Sequence, residues 1–155
     1  MKKSTIIKYL SLTLLVFFIL DRISKYLAFH KLLNQGVYLF KNFQFQLQTN
    51  SGIAFGLKLP QIVIFALAII IVSFLFYYLI KSVKEEKYLD AFLLGLVIIG
   101  ALSNLLDRIL YKEVIDFIQI SIWPNFNLAD AYINFGGLFF LLKNIKRGPI
   151  EYKAS

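Results

Sequence analysis

The apolar positions along the chain fall into four long runs, each separated from the next by a polar segment. The runs cover residues 6–29, 61–80, 89–110 and 128–142. A helix needs about 20 predominantly apolar residues to cross the hydrocarbon core of a bilayer, so each run is predicted to be a transmembrane helix. The second run contains no charged residue. The fourth is short, and we expect its outer end to be polar and partly solvated.

The segment between the first two runs, residues 30–60, has a different pattern. Residues 43–48 alternate between apolar and glutamine side chains, and residues 37–40 form a second short apolar stretch. A period of two is typical of a half-buried β-strand. We therefore predict an all-α membrane protein with four transmembrane helices and a small extracytoplasmic β-sheet between helices 1 and 2. Residues 1–155 are expected to form a single integral membrane domain.

The composition also indicates a membrane protein. Hydrophobic residues make up 59% of the sequence and charged residues 17%, whereas soluble domains average about 45–50% and about 25%. The formal net charge is +8, but the lysines gather at the ends of the apolar runs, where phospholipid head groups lie. We therefore expect membrane phospholipid, and no nucleic acid, as the partner of these charges.

The distribution of lysine and arginine predicts the orientation. Ten of these residues lie at the start of the first run, between the second and third, or after the fourth, and four lie in the other two loops. The positive-inside rule then puts both termini in the cytoplasm. Lys2 and Lys3 precede the first run as they would in a secretory signal peptide. Because this run lacks a small-residue cleavage site, we interpret it as a retained anchor.

Cysteine and histidine usage narrows the chemistry. The chain has no cysteine, which excludes disulfides, thiolate catalysis and cysteine-based metal sites. Its one histidine is His30, so a zinc motif that needs two histidines is excluded, and any histidine-dependent triad would have to use this imidazole. We interpret His30 as an interfacial polar residue, and we expect neither a metal nor a cofactor.

Ionisable residues lie in or beside the predicted spans. Charges within a membrane are costly and are candidates for function. In the predicted orientation all of them fall near the outer leaflet. They are Asp21, Arg22, Lys25, Asp107, Arg108 and Asp130, with Asp116 just beyond the third run.

The spacing of several of these residues allows two interpretations. Asp21 and Lys25 are four residues apart on one helix face, so they can be a structural ion pair or take part in chemistry. Asn104 and Asp107 share a face of the third helix, which also carries small residues that permit close helix packing. These small residues are Ala91, Gly95, Gly100 and Ser103.

Asp116 and Asp130 form the sharper pair, with only 13 residues between them. Residues 116–118 can return as an extended segment beside the start of the fourth helix. Two carboxylates held close share one proton, and such a pair can hydrolyse an amide by general acid–base catalysis without a metal or a thiol. The alternative for Asp130 is an acid that stabilises the first turn of its helix.

Five local motifs surround these residues. They are D-x-x-[ST]-K at residues 21–25, N-x-G-x-A-F at 50–55, G-A-x-S-N-x-x-D-R at 100–108, V-x-D-F at 114–117 and F-N-x-A-D at 126–130. In this order they resemble the motifs of the bacterial lipoprotein signal peptidases, the signal peptidase II family of aspartyl peptidases. The resemblance covers nearly the whole chain. Two positions differ from the usual pattern, because Arg22 stands where Gln is common and Ser103 replaces a common Gly.

This resemblance implies an intramembrane aspartyl endopeptidase that removes the signal peptide from diacylglyceryl-modified prolipoproteins, cleaving before the lipidated cysteine. It implies Asp116 and Asp130 as the catalytic dyad. We expect a monomer in the bacterial cytoplasmic membrane, with its active site near the outer leaflet. The residues implied to bind substrate or to support the site are Asn50, Asn104, Arg108, Asn127, Asp21, Lys25 and Asp107.

A non-enzyme is the alternative function. A small transporter or scaffold subunit can use acids to bind a cation or to relay protons. A transporter is expected to need such acids at mid-membrane or on both sides, to give a route across. Here they cluster at one side, which favours the peptidase.

Overall fold

The structure, a computed structural model, describes residues 2–32, 36–52, 59–121 and 123–145. Within these residues the chain forms four α-helices and three β-strands. They are α1 (Lys3–Lys31), β1 (Val37–Phe40), β2 (Phe43–Asn50), α2 (Gln61–Lys84), α3 (Tyr88–Tyr111), β3 (Val114–Ile120) and α4 (Leu128–Ile145). Each of the four apolar runs lies inside one helix, which confirms the prediction of a mainly helical protein.

The third helix is the centre of the fold. It packs against α1, α2 and α4, and its buried residues continue along its whole length. α2 is different, because only Ile64 and Ser82 of its residues are buried. By length and composition, α2 and α3 are apolar enough to cross a membrane. α1 and α4 are less uniformly apolar than these two helices, because α1 carries three ionisable residues close together and α4 has polar residues at both ends.

The three strands form one antiparallel sheet in the order β1-β2-β3. The alternating pattern correctly predicted β1 and β2. The prediction of a sheet built only between helices 1 and 2 is wrong, because β3 comes from the connection between α3 and α4. The first five residues of β3 are all buried, so this strand has no alternation of apolar and polar positions by which the sequence could have revealed it.

The sheet is attached to the helices by a small apolar core. Phe117 and Ile118 of β3 pack with Ala28 of α1, and the side chains around them come from α1, β2 and the start of α4. Lys112, in the left-handed conformation with φ 68°, reverses the chain between α3 and β3. β3 is therefore held on one side by β2 and at its start by α3, so its side chains have fixed directions.

Two helix contacts depend on glycine. A Cβ at Gly136 would lie 2.6 Å from the carbonyl oxygen of Leu93, and a Cβ at Gly100 would lie 2.5 Å from the carbonyl oxygen of Ala129. Both obstacles are backbone atoms of the facing helix, which cannot move aside as a flexible side chain can. The backbones of α3 and α4 therefore approach each other closely at these two glycines.

This close approach predicts opposite effects for two neighbouring glycines. Gly136→Ala should destabilise the protein by about 1–3 kcal/mol, because the added methyl group must push α4 away from α3. Gly137→Ala is the matched control and should slightly raise the stability. Nothing lies within 4 Å of its Cβ position, and alanine is a better helix former than glycine. Thermal unfolding of the purified variants in detergent measures both. Equal melting temperatures for the two variants would contradict the close packing.

Candidate active site

Asp116 and Asp130 come from two different kinds of element. Asp116 is the third residue of β3 and is 3% exposed, while Asp130 lies in the first turn of α4 and is partly buried. Phe126 returns to pair with Ile118 through backbone bonds of 2.9 and 3.0 Å. This pairing sets the residue after Phe126 beside Asp116, at the point where α4 begins.

That residue, Asn127, contacts both acids. Its side-chain amide nitrogen donates to Oδ1 of Asp116 at 2.8 Å and to the carbonyl oxygen of Ile115 at 3.2 Å. Its side-chain oxygen accepts from the backbone N–H of Asp130 at 2.9 Å. The backbone N–H of Asn127 in turn donates to Oδ2 of Asp130 at 3.2 Å. Asn127 is completely buried, so all four contacts are protected from water.

The contacts between Asn127 and Asp130 have the geometry of a capping box. In such a box, the residue before a helix and the third helical residue satisfy each other's backbone N–H groups. Asn is among the preferred residues for the first of these positions. The alternative interpretation of Asp130, a helix-stabilising acid, is therefore correct as structure. It does not compete with a chemical role, because the box holds the carboxylate beside Asn127.

Asn104 of α3 joins Asp130 to the interior. Its amide nitrogen donates to Oδ1 of Asp130 at 2.7 Å. Its amide oxygen accepts from Lys25 Nζ at 2.8 Å and from Asn127 Nδ2 at 3.2 Å. A cation bound to the oxygen of an amide makes its N–H groups stronger donors. Lys25 therefore strengthens the hydrogen bond that Asn104 gives to Asp130.

Behind Asn104 lies a cluster of buried charges. Lys25 Nζ is 3.1 Å from Oδ2 of Asp21 and 2.7 Å from Oδ2 of Asp107, and all three side chains are almost completely buried. The other oxygen of Asp21 accepts from the backbone N–H of Ala129 at 2.8 Å. The ion pair predicted from the spacing of Asp21 and Lys25 is present. It supports α4 directly, because Ala129 lies in the first turn of that helix.

Arg108 and Asn50 lie at the edge of this network. Arg108 Nη2 donates to the carbonyl oxygen of Gly52 at 2.8 Å, and Asn50 Oδ1 accepts from the N–H of the same glycine at 2.9 Å. Nε of Arg108 is buried and has no hydrogen-bond partner among the described residues. The remainder of this motif, residues 53–55, lies outside the described residues. All nine predicted site residues thus belong to one connected region.

The surroundings of Asp116 change its acidity. Burial, and to a smaller extent the neighbouring Asp130 carboxylate, raise the pKa of the Asp116 carboxyl to about 7. Hydrogen bonds from Asn127 and Asn50, together with the charge of Lys25, act in the opposite direction. Near neutral pH, Asp116 therefore exchanges a proton readily.

Two residues of the charge cluster were not among the predicted site residues. Arg22 Nη1 is 2.6 Å from Oδ1 of Asp107, and the hydroxyl of Ser103 donates to Oδ2 of Asp21. The sequence marked both positions only as departures from a motif. No local spacing relates Arg22 to Ser103, since 81 residues separate them. In the part of the chain that the structure describes, no group of three or more His, Asp or Glu residues could hold a metal ion.

Comparison with known proteins gives consistent matches. Residues 13–146 match the family model described as Signal peptidase (SPase) II. The lipoprotein signal peptidase of Thermodesulfovibrio yellowstonii is 33% identical over 144 residues, which cover 88% of this chain and 95% of that protein. The lipoprotein signal peptidase of Aquifex aeolicus is 37% identical over 147 residues, covering 87% and 84%.

Solved structures show a similar fold. One described as a bacterial membrane enzyme matches with a TM-score of 0.81 at 25% identity, over 96% of this chain and 94% of the other. A second with the same description matches with a TM-score of 0.78 at 26% identity, over 92% and 96%.

The geometry predicts how the two acids titrate. A protonated carboxyl band in the infrared spectrum should disappear with a midpoint near pH 7, and Asp116→Asn should remove this titration. In Asp130→Asn the midpoint should fall, because the negative neighbour that raises the pKa of Asp116 is gone. Difference spectra across a pH series measure both effects. A midpoint that stays near 7 in Asp130→Asn would show that the two carboxyls are not coupled.

Proposed function

This chain belongs to the signal peptidase II family, the aspartyl peptidases that cleave the signal peptides of prolipoproteins, and we propose that Asp116 and Asp130 are its catalytic dyad. The observation that carries this proposal is the Asn127 side chain, which bonds Asp116 and the start of α4 at Asp130 at once. A residue whose only role was to cap α4 would not also need to donate a hydrogen bond to Asp116.

The two acids have different roles in this proposal. Asp130 receives hydrogen bonds on both oxygens, from Asn104 and from the Asn127 backbone, and it lies at a helix N-terminus, where negative charge is favoured. It is the ionised base. Asp116 is more deeply buried and holds the shared proton. A pair with two protons or with none is inactive, so cleavage requires an intermediate pH.

The reaction then proceeds by acid–base catalysis. Asp130 takes a proton from a water molecule, whose oxygen attacks the scissile carbonyl carbon, while Asp116 gives its proton to the carbonyl oxygen. When the tetrahedral intermediate collapses, the proton on Asp130 passes to the leaving amine and the C–N bond breaks. One hydroxyl proton of the intermediate returns to Asp116, which restores the starting state.

The substrate in this proposal is a prolipoprotein with a diacylglyceryl-modified cysteine, cut just before that cysteine. The site lies at the end of α3, beside an apolar surface, so a lipidated residue in one leaflet can reach it without leaving the membrane. Asn50, Arg108, Asn104 and Asn127 bind the substrate backbone or shape the site. We propose that the chain acts as a monomer and needs no cofactor.

A test of the dyad uses purified protein, lipid vesicles and a lipidated prolipoprotein. Asp116→Asn and Asp130→Asn should each reduce the cleavage rate at least about a hundredfold, because each removes one partner of the proton transfer. Glu113→Gln is the matched control, since it removes an acid three residues before Asp116 that lies outside the network, and it should cleave normally.

Thermal unfolding separates loss of chemistry from loss of fold. The Asp→Asn variants should unfold cooperatively and insert into vesicles. A folded Asp116→Asn or Asp130→Asn protein that cleaves at a near-normal rate would exclude the dyad.

The proposed topology has four transmembrane helices in the bacterial cytoplasmic membrane, with both termini in the cytoplasm. At the end of the bundle opposite the dyad, Lys3 is 3.3 Å from Glu86, and Lys143 bonds Asp90. The start of α1, the α2–α3 turn and the end of α4 therefore lie on one side. This side is rich in lysine, which supports a cytoplasmic location.

Cysteine labelling tests this topology directly, because the chain has no cysteine. In right-side-out membrane vesicles, a membrane-impermeant maleimide should label Ser121→Cys, which lies in the connection after β3. Ser4→Cys, at the start of α1, should be labelled only after the vesicles are opened. The unmodified chain is the control for background. Labelling of Ser4→Cys in sealed right-side-out vesicles would show that the orientation is the opposite of the one proposed.

A further inference from the structure

Arg22 of α1 and Ser103 of α3 share one hydrogen-bonded unit. Nη1 of Arg22 donates to Oδ1 of Asp107 at 2.6 Å, to Oγ of Ser103 at 3.0 Å and to the carbonyl oxygen of Ser103 at 3.2 Å. The Ser103 hydroxyl in turn donates a hydrogen bond to Oδ2 of Asp21. Ser103 therefore bonds Arg22 on one side and an acid of the buried cluster on the other.

Arg22 changes the charge of the cluster. Asp21, Asp107 and Lys25 are each 0% exposed, and these three residues alone would carry two negative charges and one positive charge. Arg22 supplies the fourth charge and makes the cluster neutral. Its side chain is 21% exposed, so it can be ionised at a lower desolvation cost than a fully buried cation. An uncompensated charge in such a site would be poorly screened by solvent.

The cluster is connected to the proposed dyad in three places. Oδ2 of Asp107 accepts from the backbone N–H of Ile115, one residue before Asp116, at 3.4 Å. Lys25 bonds the oxygen of Asn104, whose nitrogen bonds Asp130. Asp21 bonds the N–H of Ala129, one residue before Asp130. A change in the position of Lys25, or in the net charge around it, therefore reaches Asp130 through a single amide side chain.

We propose that Arg22, held in place by Ser103, is a positioning residue that keeps the Lys25 ammonium between Asp21 and Asp107 and thereby sets the pH range of cleavage. This inference rests on the proposed dyad. Without Arg22, Asp107 has only Lys25 as a cation, so Lys25 moves toward it and away from Asn104. The cluster also becomes negative. Both changes make the dyad bind protons more tightly, so both limbs of the pH profile move to higher pH.

Other ionisable groups near the dyad keep their places in this change. Among the described residues, α3 contributes one further cation, α4 contributes one phenol, and β2 contributes only uncharged amides. These groups are Arg108, Tyr132, Gln48 and Asn50. Among the described residues none of them forms a hydrogen bond with Arg22. Tyr26, His30 and Tyr111 line the cavity beside Arg22 together with Lys25, and none of these three forms a hydrogen bond with Arg22 either.

The experiment measures kcat/KM for the lipidated prolipoprotein across a pH series. Arg22→Gln should shift both limbs of the pH profile to higher pH by roughly 0.5 to 1 unit, the size expected for one charge acting across a partly buried site. Arg22→Lys keeps the charge and should return both limbs most of the way to their original position. Lys31→Gln is the matched control, because it removes an exposed charge from the same helix, and its profile should not move.

Ser103→Ala provides the second arm, and it replaces a buried hydroxyl with a smaller side chain. It should shift the profile in the same direction by a smaller amount. In the Arg22→Gln background it should add little, because Ser103 then has no guanidinium to hold. Full additivity of the two shifts would mean that the residues act independently and would overturn their coupling.

The outcomes separate this inference from the proposed function. If the Asp116→Asn and Asp130→Asn proteins are inactive but Arg22→Gln and Ser103→Ala leave both limbs in place, the positioning role is wrong and the dyad stands. If the Asp→Asn proteins cleave, the dyad itself is wrong. If Arg22→Gln does not fold, Ser103→Ala and Arg22→Lys decide the matter. An unshifted Ser103→Ala profile would then overturn the inference.

Discussion

The packing around the site depends on the burial of one ammonium group. Lys25 Nζ is out of contact with water, and the cost of burying an isolated charge is several kcal/mol unless it is paired. Its three protons are accepted by Asp21, Asp107 and Asn104. Two of these acceptors belong to α3, so α1 cannot slide or rotate against α3 without leaving the ammonium unpaired. This requirement fixes the register of the two helices.

The same requirement extends to α4. While one oxygen of Asp21 accepts from Lys25, the other accepts from the N–H of Ala129, one of the N–H groups that a helix start leaves without a partner. Asn127 and Asp130 satisfy two more. The groups that begin α4 are therefore the groups that build the site. Asp130 therefore contributes to both stability and the proposed chemistry, because it is a capping acid and the proposed base.

The sequence predicted the elements more completely than their contacts. The four apolar runs marked the helices, and the glutamine alternation marked β1 and β2. It missed β3 as part of the sheet, because a strand buried along most of its length has no polar face to reveal it. Within the site, the Asp21–Lys25 pair was visible from its spacing on one helix. The contacts of Arg22 with Ser103 and of Asn127 with Asp116 join different elements, and no periodicity encodes them.

The position of β3 gives the sheet a role beyond covering the site. Asp116 pairs with Gln48 in the β2–β3 register, and a slip of one residue would turn its carboxylate to the opposite face. β2 fixes the strand on one side and Phe126 fixes it on the other, so the direction of the carboxylate is set by backbone hydrogen bonds. Sites on such elements are held more precisely than sites on loops. Asp130 is held by a helix cap, and among the described residues Asn127 is the one side chain that forms hydrogen bonds to both β3 and α4. The distance between the two acids is therefore fixed by a strand, a helix and a single buried amide.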